Sequence, residues 1–416
     1  MDDLLDEVFP DLAAIALEGA KGVGKTATAA RRAASTLTLT NPTERAAVAG
    51  SLDVLRELAP PLFIDEWQLE PAVWDAVRHE VDADPTGGRY LLAGSARTPP
   101  EVRIHSGAGR IVRVRMRPLS WFERGLDDPT VSLSALMSGA RPAVRGATEV
   151  GVRGYLEEIL RSGFPGIRGL SERARGLQLD GYVARIVDRE LAENGVTVRR
   201  PEAMLAWLRA YAAATATDAA YEVIRDAATP GQGDKPTDGT VRVYREALAR
   251  LFVLDPVPAW VPSMSPLRRL TRGPKHHLVD PALAARLVGV GLPGLLRGDA
   301  GHTPPRGETW AGALFESLVV QSARVYAEAA GGSVGHLRTK DTEHEVDLVV
   351  ESPDLSVVAI EVKAADAVSP RDTKHLNWLE KQLGDRLADK VLVNTGRFAY
   401  RDQDGVAIVP FALLGP

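Results

Sequence analysis

Gly19, Gly24, Lys25 and Thr26 stand in the spacing G-x-x-x-x-G-K-T, after the apolar run "AAIALE" and before the alanine-rich "TATAA". A strand before the loop and a helix after it are the context in which this spacing cradles phosphate. Glycines let successive backbone N–H groups turn toward an anion at a helix start, a lysine reaches the β and γ oxygens of a nucleotide, and a threonine hydroxyl ligates Mg²⁺. Gly19, Ala20, Lys21, Gly22, Val23, Gly24, Lys25, Thr26 and Ala27 are therefore the candidate cradle for ATP and Mg²⁺. The plain alternative is a strand-to-helix turn with no ligand.

An acidic residue at the end of a neighbouring apolar strand would complete such a site. "LFIDE" (62–66) supplies Asp65 to hold the Mg²⁺ shell with Thr26, and Glu66 to polarise an attacking water. The competing reading is an acidic pair at a helix N-terminus beginning at Trp67. Ser95 ends a third strand in "LLAGSA", where a small hydroxyl would sense the γ-phosphate or simply cap a turn. Arg110 is a candidate arginine finger, either within the chain or into a neighbouring copy, which would require a homo-oligomer. The alternative for Arg110 is a basic strand on the surface.

A second constellation lies near the C-terminus. "EVDLVVESPDLSVVAIEVK" (345–363) has β-branched apolar ends around "SPD" and reads as a hairpin. A turn centred on Asp354 sets Asp347 opposite Glu361, with Cβ atoms roughly 5 Å apart, and Lys363 falls two residues further along the same face. Like charges directly opposed destabilise a sheet, and a divalent cation would relieve that cost. Asp347 and Glu361 are candidate Mg²⁺ ligands, with Glu316 on the preceding helix as a further acidic ligand and Lys363 to position water or stabilise developing charge. The spacing D…E-x-K matches the PD-(D/E)xK nuclease signature, and Lys25 and Lys363 are two of only nine lysines. The alternative is a solvated hairpin face with an ordinary Glu–Lys pair. Lys374 and His375, at the start of the next helix, would contact a backbone phosphate or merely begin an exposed helix.

The elements that position these residues belong to a chain of 416 residues, long enough for two to four domains, with 45% hydrophobic and 25% charged residues. The absence of cysteine removes disulfides, thiolate metal sites and cysteine nucleophiles. No apolar run reaches membrane-spanning length, and "MDDLLDEVF" is acidic where a signal peptide is basic, so a cytoplasmic protein without a membrane partner is expected. The net charge of −5 conceals 41 arginines, seven of them between Arg97 and Arg124. Overall acidity argues against nonspecific coating of nucleic acid and leaves local basic patches open.

Short apolar strands alternating with helices in the first third point to a parallel sheet covered on both faces. The stretch 151–254 is helical by its apolar spacing. "VRVYREALARLFVLDPVPAW" followed by "SPLRRLTRGPKHHLV" has the form of a winged helix, with Arg242, Arg245 and Arg250 toward one side of one helix. "GLPGLLRGDAGHTPPRGE" (291–308) is the best linker. The expected class is α/β multidomain: a P-loop NTPase parallel sheet, a helical and winged-helix middle, and a restriction-endonuclease-like C-terminal domain. The expected boundaries are 1–145, 146–205 (helical lid), 206–290 (winged helix-turn-helix) and 300–416.

"GAKGVGKT", "LFIDEWQ", "YLLAGSA", "GAGRIVRVRMRPLSWFERG", "GFP" (163–165), "YVARIVDREL" and "GPKHHLVDPAL" together resemble the bacterial and archaeal ATP-binding proteins that join an AAA-type ATPase domain to a C-terminal domain called DUF4143. The resemblance covers nearly the whole chain in order. It departs at "TLTNPTE" (38–44), where that family often carries acidic residues. It implies a winged helix-turn-helix followed by a restriction-endonuclease-like fold, and hence an ATP hydrolase controlling a nuclease-like module on double-stranded DNA. A nucleotide-switched regulator that hydrolyses ATP slowly and cuts nothing is the second reading. A GTPase or small-molecule kinase is the third, and the sequence has no N-K-x-D-like tetrad to favour guanine.

Overall fold

The computed structural model of the chain describes residues 1–96, 107–193, 196, 198, 200–229, 235–261, 273–297, 310–339 and 343–416. Arg97 and Arg103 of the basic run, residues 262–272 of the expected winged helix, and 298–308 of the expected linker lie outside the described residues. The chain divides into two compact units. One comprises Met1–Arg117, Arg185–Arg199 and Arg242–Val253, and the other Pro118–Ala184, Arg200–Val241 and Leu254–Pro416.

The first unit contains β1 (Ala14–Glu18), β2 (Ser35–Thr38), β3 (Leu62–Asp65), β4 (Tyr90–Gly94) and β5 (Ile111–Arg115). They form an all-parallel sheet in the order β2-β3-β4-β1-β5, consistent with a P-loop NTPase. β1 and β4 are buried along their whole lengths, which is why "AIALE" and "YLLAG" read as near-continuous apolar runs. The helix Ala72–Ala83 buries Val73, Trp74, Val77 and Val81 at helical spacing, against Ala14, Ala16, Ile64 and Leu92. From β1 the chain passes to β2 on one side, and from β4 it crosses to β5 on the other. The C-terminal ends of β1 and β4 therefore flank a topological switch point, where open α/β sheets bind ligands.

The second unit begins with β6 (Val131–Ser132) and β7 (Gly146–Ala147) and continues through a helical stretch that includes Val152–Arg161, Pro201–Ala213, Tyr221–Ala228 and Pro281–Val288. After the helix Trp310–Ala329 come β8 (Ser333–Arg338), β9 (Glu345–Glu351), β10 (Val357–Lys363), β11 (Leu387–Asn394), β12 (Phe398–Arg401), β13 (Ala407–Pro410) and β14 (Leu414–Gly415). Seven of these strands form a mixed sheet in the order β7-β12-β13-β11-β10-β9-β8, with β10, β11 and β13 parallel to one another. The β9–β10 hairpin pairs Glu351 with Val357, Val350 with Val358, Val349 with Ala359 and Leu348 with Ile360. That register sets Asp347 against Glu361, as the "SPD" turn implies. The helix Asp238–Arg250 is followed by antiparallel bridges Leu254–Leu278 and Val257–Lys275. No helix among the described residues is long and apolar enough to cross a membrane.

Candidate functional site

The loop after β1 is shaped by two glycines. A Cβ on Gly19 would lie 2.3 Å from the Met116 carbonyl oxygen, so only glycine permits that approach. Gly24 caps the helix Lys25–Ala30 with φ 105°, a left-handed conformation that glycine adopts without steric cost. Lys25 is buried, and its Nζ donates to the carbonyl oxygens of Gly19 at 2.8 Å and Ala20 at 3.0 Å. The ammonium is thus held inside its own loop. Burial lowers its pKa to about 8, against the opposing pull of Glu66 and Asp65. Val23 is buried beneath the loop, while Gly22, Thr26 and Ala27 face solvent. Lys21, also exposed, pairs with Glu190 at 3.3 Å, a contact between residues far apart in sequence.

Asp65, at the end of β3, meets this loop directly. The Thr26 hydroxyl donates to its carboxylate, 3.1 Å to Oδ2 and 3.3 Å to Oδ1, and the Glu66 N–H donates to Oδ1 at 3.1 Å. Burial, and then the neighbouring Glu66 charge, push the Asp65 carboxyl upward. A threonine hydroxyl beside a carboxylate at a phosphate loop is the hard-oxygen donor set that suits Mg²⁺. Glu66 itself has φ 53° and ψ 44°, a left-handed conformation unfavourable for a non-glycine residue. It precedes a 3₁₀ turn, Trp67–Leu69, and the α-helix starts only at Ala72, so Asp65 and Glu66 are not the N-terminal pair of a helix at Trp67. Ser95, just beyond β4, donates to Glu66 at 3.0 Å and 3.3 Å, and Gln68 donates to Glu66 Oε2. Ser95 thus orients the Glu66 carboxylate. Gln68 does the same, and it was not evident from the sequence because no motif position marks it.

Arg110 lies elsewhere. It precedes β5, whose first residue Ile111 pairs with Ala14 at the start of β1, whereas the phosphate loop leaves the other end of that strand. The separation along the strand is about 13 Å. Arg110 Nε instead donates to Asp82 at 2.7 Å. An arginine finger within the same chain is therefore excluded for Arg110 by the direction of the sheet.

In the second unit Glu316, Asp347 and Glu361 are all buried and share a cavity of about 350 Å³ with Lys363, Arg338 and His375. Lys275, fully buried, places its Nζ 2.8 Å from Glu316 Oε1 and 2.8 Å from Asp347 Oδ1. Glu345 stands 3.5 Å from the same ammonium. Burial alone would discharge Lys275, but Asp347, Glu316 and Glu345 outweigh it and hold it protonated. Asp347 also accepts the Val362 N–H at 2.9 Å, and although burial opposes its ionisation, Lys275 and Lys363 keep it charged. Burial and then Asp347 push the Glu361 carboxyl well above the usual range. Among the described residues no group of three or more His, Asp or Glu is arranged to hold a metal ion. An ammonium thus stands between Glu316 and Asp347, two of the three residues expected to hold Mg²⁺. Lys275 lies within the quoted "GPKHHLV", yet nothing in the local pattern linked it to residues 41 and 72 positions away.

His375 contacts His344, 3.3 Å between Nδ1 atoms, and His344 stacks on Trp378 at 4.0 Å. The "GFP" and "VDPAL" stretches also meet. Asp280, fully buried, accepts from Ser162 Oγ at 3.1 Å, Gly163 N at 2.7 Å and Ala282 N at 2.8 Å, capping the helix Pro281–Val288.

The comparisons with known proteins agree with the broad plan. Residues 12–124 match the family model described as an AAA domain, residues 152–293 the domain of unknown function DUF8612, and residues 311–414 the domain of unknown function DUF4143. Matches to an AAA domain at the N-terminal end and to DUF4143 at the C-terminal end thus frame the chain. Uncharacterized proteins of Mycobacterium tuberculosis and Mycobacterium bovis are each 26% identical over 313 residues, covering 75% of this chain. The chain spans 60% of the length of these curated relatives. Among solved structures, a half-complex of Thermococcus gammatolerans McrB AAA+ hexamers with bound McrC aligns at 14% identity over 50% of this chain and 70% of that one. Its TM-score of 0.14 is too low to bear on the fold.

Proposed function

We propose that this protein is a Mg²⁺-dependent ATP hydrolase whose nucleotide state regulates a DNA- or protein-binding C-terminal module that does not cut nucleic acid. The observation that carries the ATPase half is the meeting of Lys25, Thr26, Asp65 and Glu66 at one end of the parallel sheet, with Thr26 Oγ1 3.1 Å from Asp65. Residues 19–27 wrap the β and γ phosphates, and Lys25 exchanges its two carbonyl partners for phosphate oxygens. Thr26 and Asp65 would hold Mg²⁺, which neutralises phosphate charge when bound. Glu66, oriented by Ser95 and Gln68, takes a proton from the water that attacks the γ-phosphorus, and ADP leaves with the electron pair of the broken P–O bond. An arginine finger at Arg110 acts only from a neighbouring copy, so the reading includes a homo-oligomer.

The domain plan proposed is an ATPase at 1–145, a helical lid at 146–205, a winged helix at 206–290 and a nuclease-like fold at 300–416. The Asp347–Glu361 opposition on the β9–β10 hairpin supports the nuclease-like fold, and the Lys275 ammonium among its carboxylates favours binding over cleavage. Double-stranded DNA is the partner proposed, with Arg242, Arg245 and Arg250 as candidate phosphate contacts whose affinity would fall steeply with salt.

Two assays test the reading. Phosphate release from ATP is expected with Mg²⁺ and not with Lys25→Ala, and equal release from both would remove the ATPase half. Nicking of plasmid DNA with Mg²⁺ or Mn²⁺ is expected to be negligible in the native chain and in Asp347→Ala alike. Cutting abolished by Asp347→Ala would restore the nuclease reading.

A further inference from the structure

The D…E-x-K residues occupy the positions from which a metal centre is built, so the cation that compensates them decides what the second unit can do. Three observations bear on it. The Lys275 ammonium sits 2.8 Å from one oxygen of Glu316 and 2.8 Å from one of Asp347, the hydrogen-bond distance of a charge-assisted pair. Mg²⁺ would require oxygens at about 2.1 Å in octahedral array. Lys275 itself is fixed from the backbone, where its N–H and C=O bond Val257 at 2.9 Å in each direction, so the ammonium is presented by an anchored strand segment and not by a loose side chain. Finally, Glu361 is only 3% exposed, and its Oε1 has no hydrogen-bond partner. It faces the same cavity as Asp347 and Lys363 and contributes no ligand to the ammonium.

We infer that Lys275 occupies the cation position of this carboxylate cluster, so that the C-terminal unit is closed by an internal ammonium and takes no divalent metal ion. The lysine stands where a metal would bridge Glu316 and Asp347: its one positive charge offsets part of their two buried negative charges and ties the 273–277 segment to the helix Trp310–Ala329 and to β9. Removing it leaves a cavity lined by carboxylate oxygens on three elements, open enough to admit a hydrated cation. The intact site is a latent metal centre held shut by one side chain. Every residue in this inference lies in the second unit, so it stands independently of the nucleotide reading.

Mn²⁺ binding to the nucleotide-free full chain, followed by loss of the free-ion electron paramagnetic resonance signal, tests this without relying on activity. The native chain is expected to bind no Mn²⁺ that is lost on Asp347→Ala; binding that depends on Asp347 in the native chain overturns the inference. Lys275→Ala is expected to gain one Mn²⁺ per chain and to lose it again in the Lys275→Ala, Asp347→Ala double variant. Lys275→Met, which keeps the aliphatic stem, takes its place if Lys275→Ala does not fold by circular dichroism. A folded variant of either kind that still binds none shows that the ammonium is not what excludes the metal, and also overturns the inference.

Discussion

Ser95 Oγ lies 3.0 Å from Glu66 Oε2, joining residues just beyond the ends of the neighbouring strands β4 and β3. The hydroxyl donates to the carboxylate and, with Gln68, sets its direction. Ser95→Ala is therefore expected to lower ATP turnover about tenfold with little change in ATP affinity, because it removes an orienting contact and leaves the phosphate cradle intact. Glu66→Gln, which removes the proposed base, is expected to cost about 10²–10³ in turnover while ATP stays bound. Single-turnover kinetics beside equilibrium binding separate the two effects. A Ser95→Ala chain that loses binding in proportion would place Ser95 on the nucleotide instead.

Lys25 ties a pH dependence to the same loop. Its folded pKa of about 8 lies below the ordinary 10.5, so between those values the unfolded chain binds more protons than the folded one. Its unfavourable contribution to stability is complete below about pH 8 and fades toward pH 10.5, amounting to at most about 3 kcal/mol. Lys25→Met is expected to raise the thermal midpoint of the nucleotide-free chain near neutral pH and to lose that advantage as the solution turns alkaline. ATP, which favours the charged lysine, is expected to bind with proton uptake approaching one above pH 8 and little near pH 7. Calorimetry in buffers of different ionisation enthalpy measures that uptake.

The buried Glu361 has the opposite sign. Its folded pKa is raised, so the stability it contributes is fully present below the unfolded value of 4.5 and is lost as pH rises toward the folded value. Glu361→Gln keeps the neutral shape without the titration. Denaturant midpoints of the two chains should coincide in mild acid and diverge in favour of the variant as pH increases to neutrality. Parallel curves across that range would mean that Glu361 is ionised in the folded chain.

Asp280 holds two distant segments together by accepting from Ser162 and Gly163 while capping the helix Pro281–Val288. Asp280→Ala orphans those buried donors and leaves the buried Arg124 guanidinium, which interacts with Asp280, undercompensated. A loss of about 3–5 kcal/mol is expected by chemical denaturation. A loss below about 1 kcal/mol would show that the segment is held by packing alone.

How much was legible in the sequence follows from the range of each signal. The phosphate loop, the acidic end of "LFIDE" and the register of the β9–β10 hairpin were readable because spacing, strand period and turn residues are local. Lys275 was not, since its partners lie on a helix and a strand far along the chain and an ammonium can bridge two carboxylates at positions where a metal was expected. Where Arg110 would stand was not legible for a related reason. Its distance in sequence from the loop carries no information on which end of β1 it faces, and only the parallel direction of β5 decides that.

On the function proposed, the loop from Gly19 to Ala27 holds the phosphates of ATP through Lys25. Titration of the nucleotide-free chain with a non-hydrolysable ATP analogue and Mg²⁺ measures it most directly. One analogue per chain is expected, with binding lost in Lys25→Ala while the variant keeps its native circular dichroism. Equal affinity in the two chains, or no binding by the native one, would contradict the account.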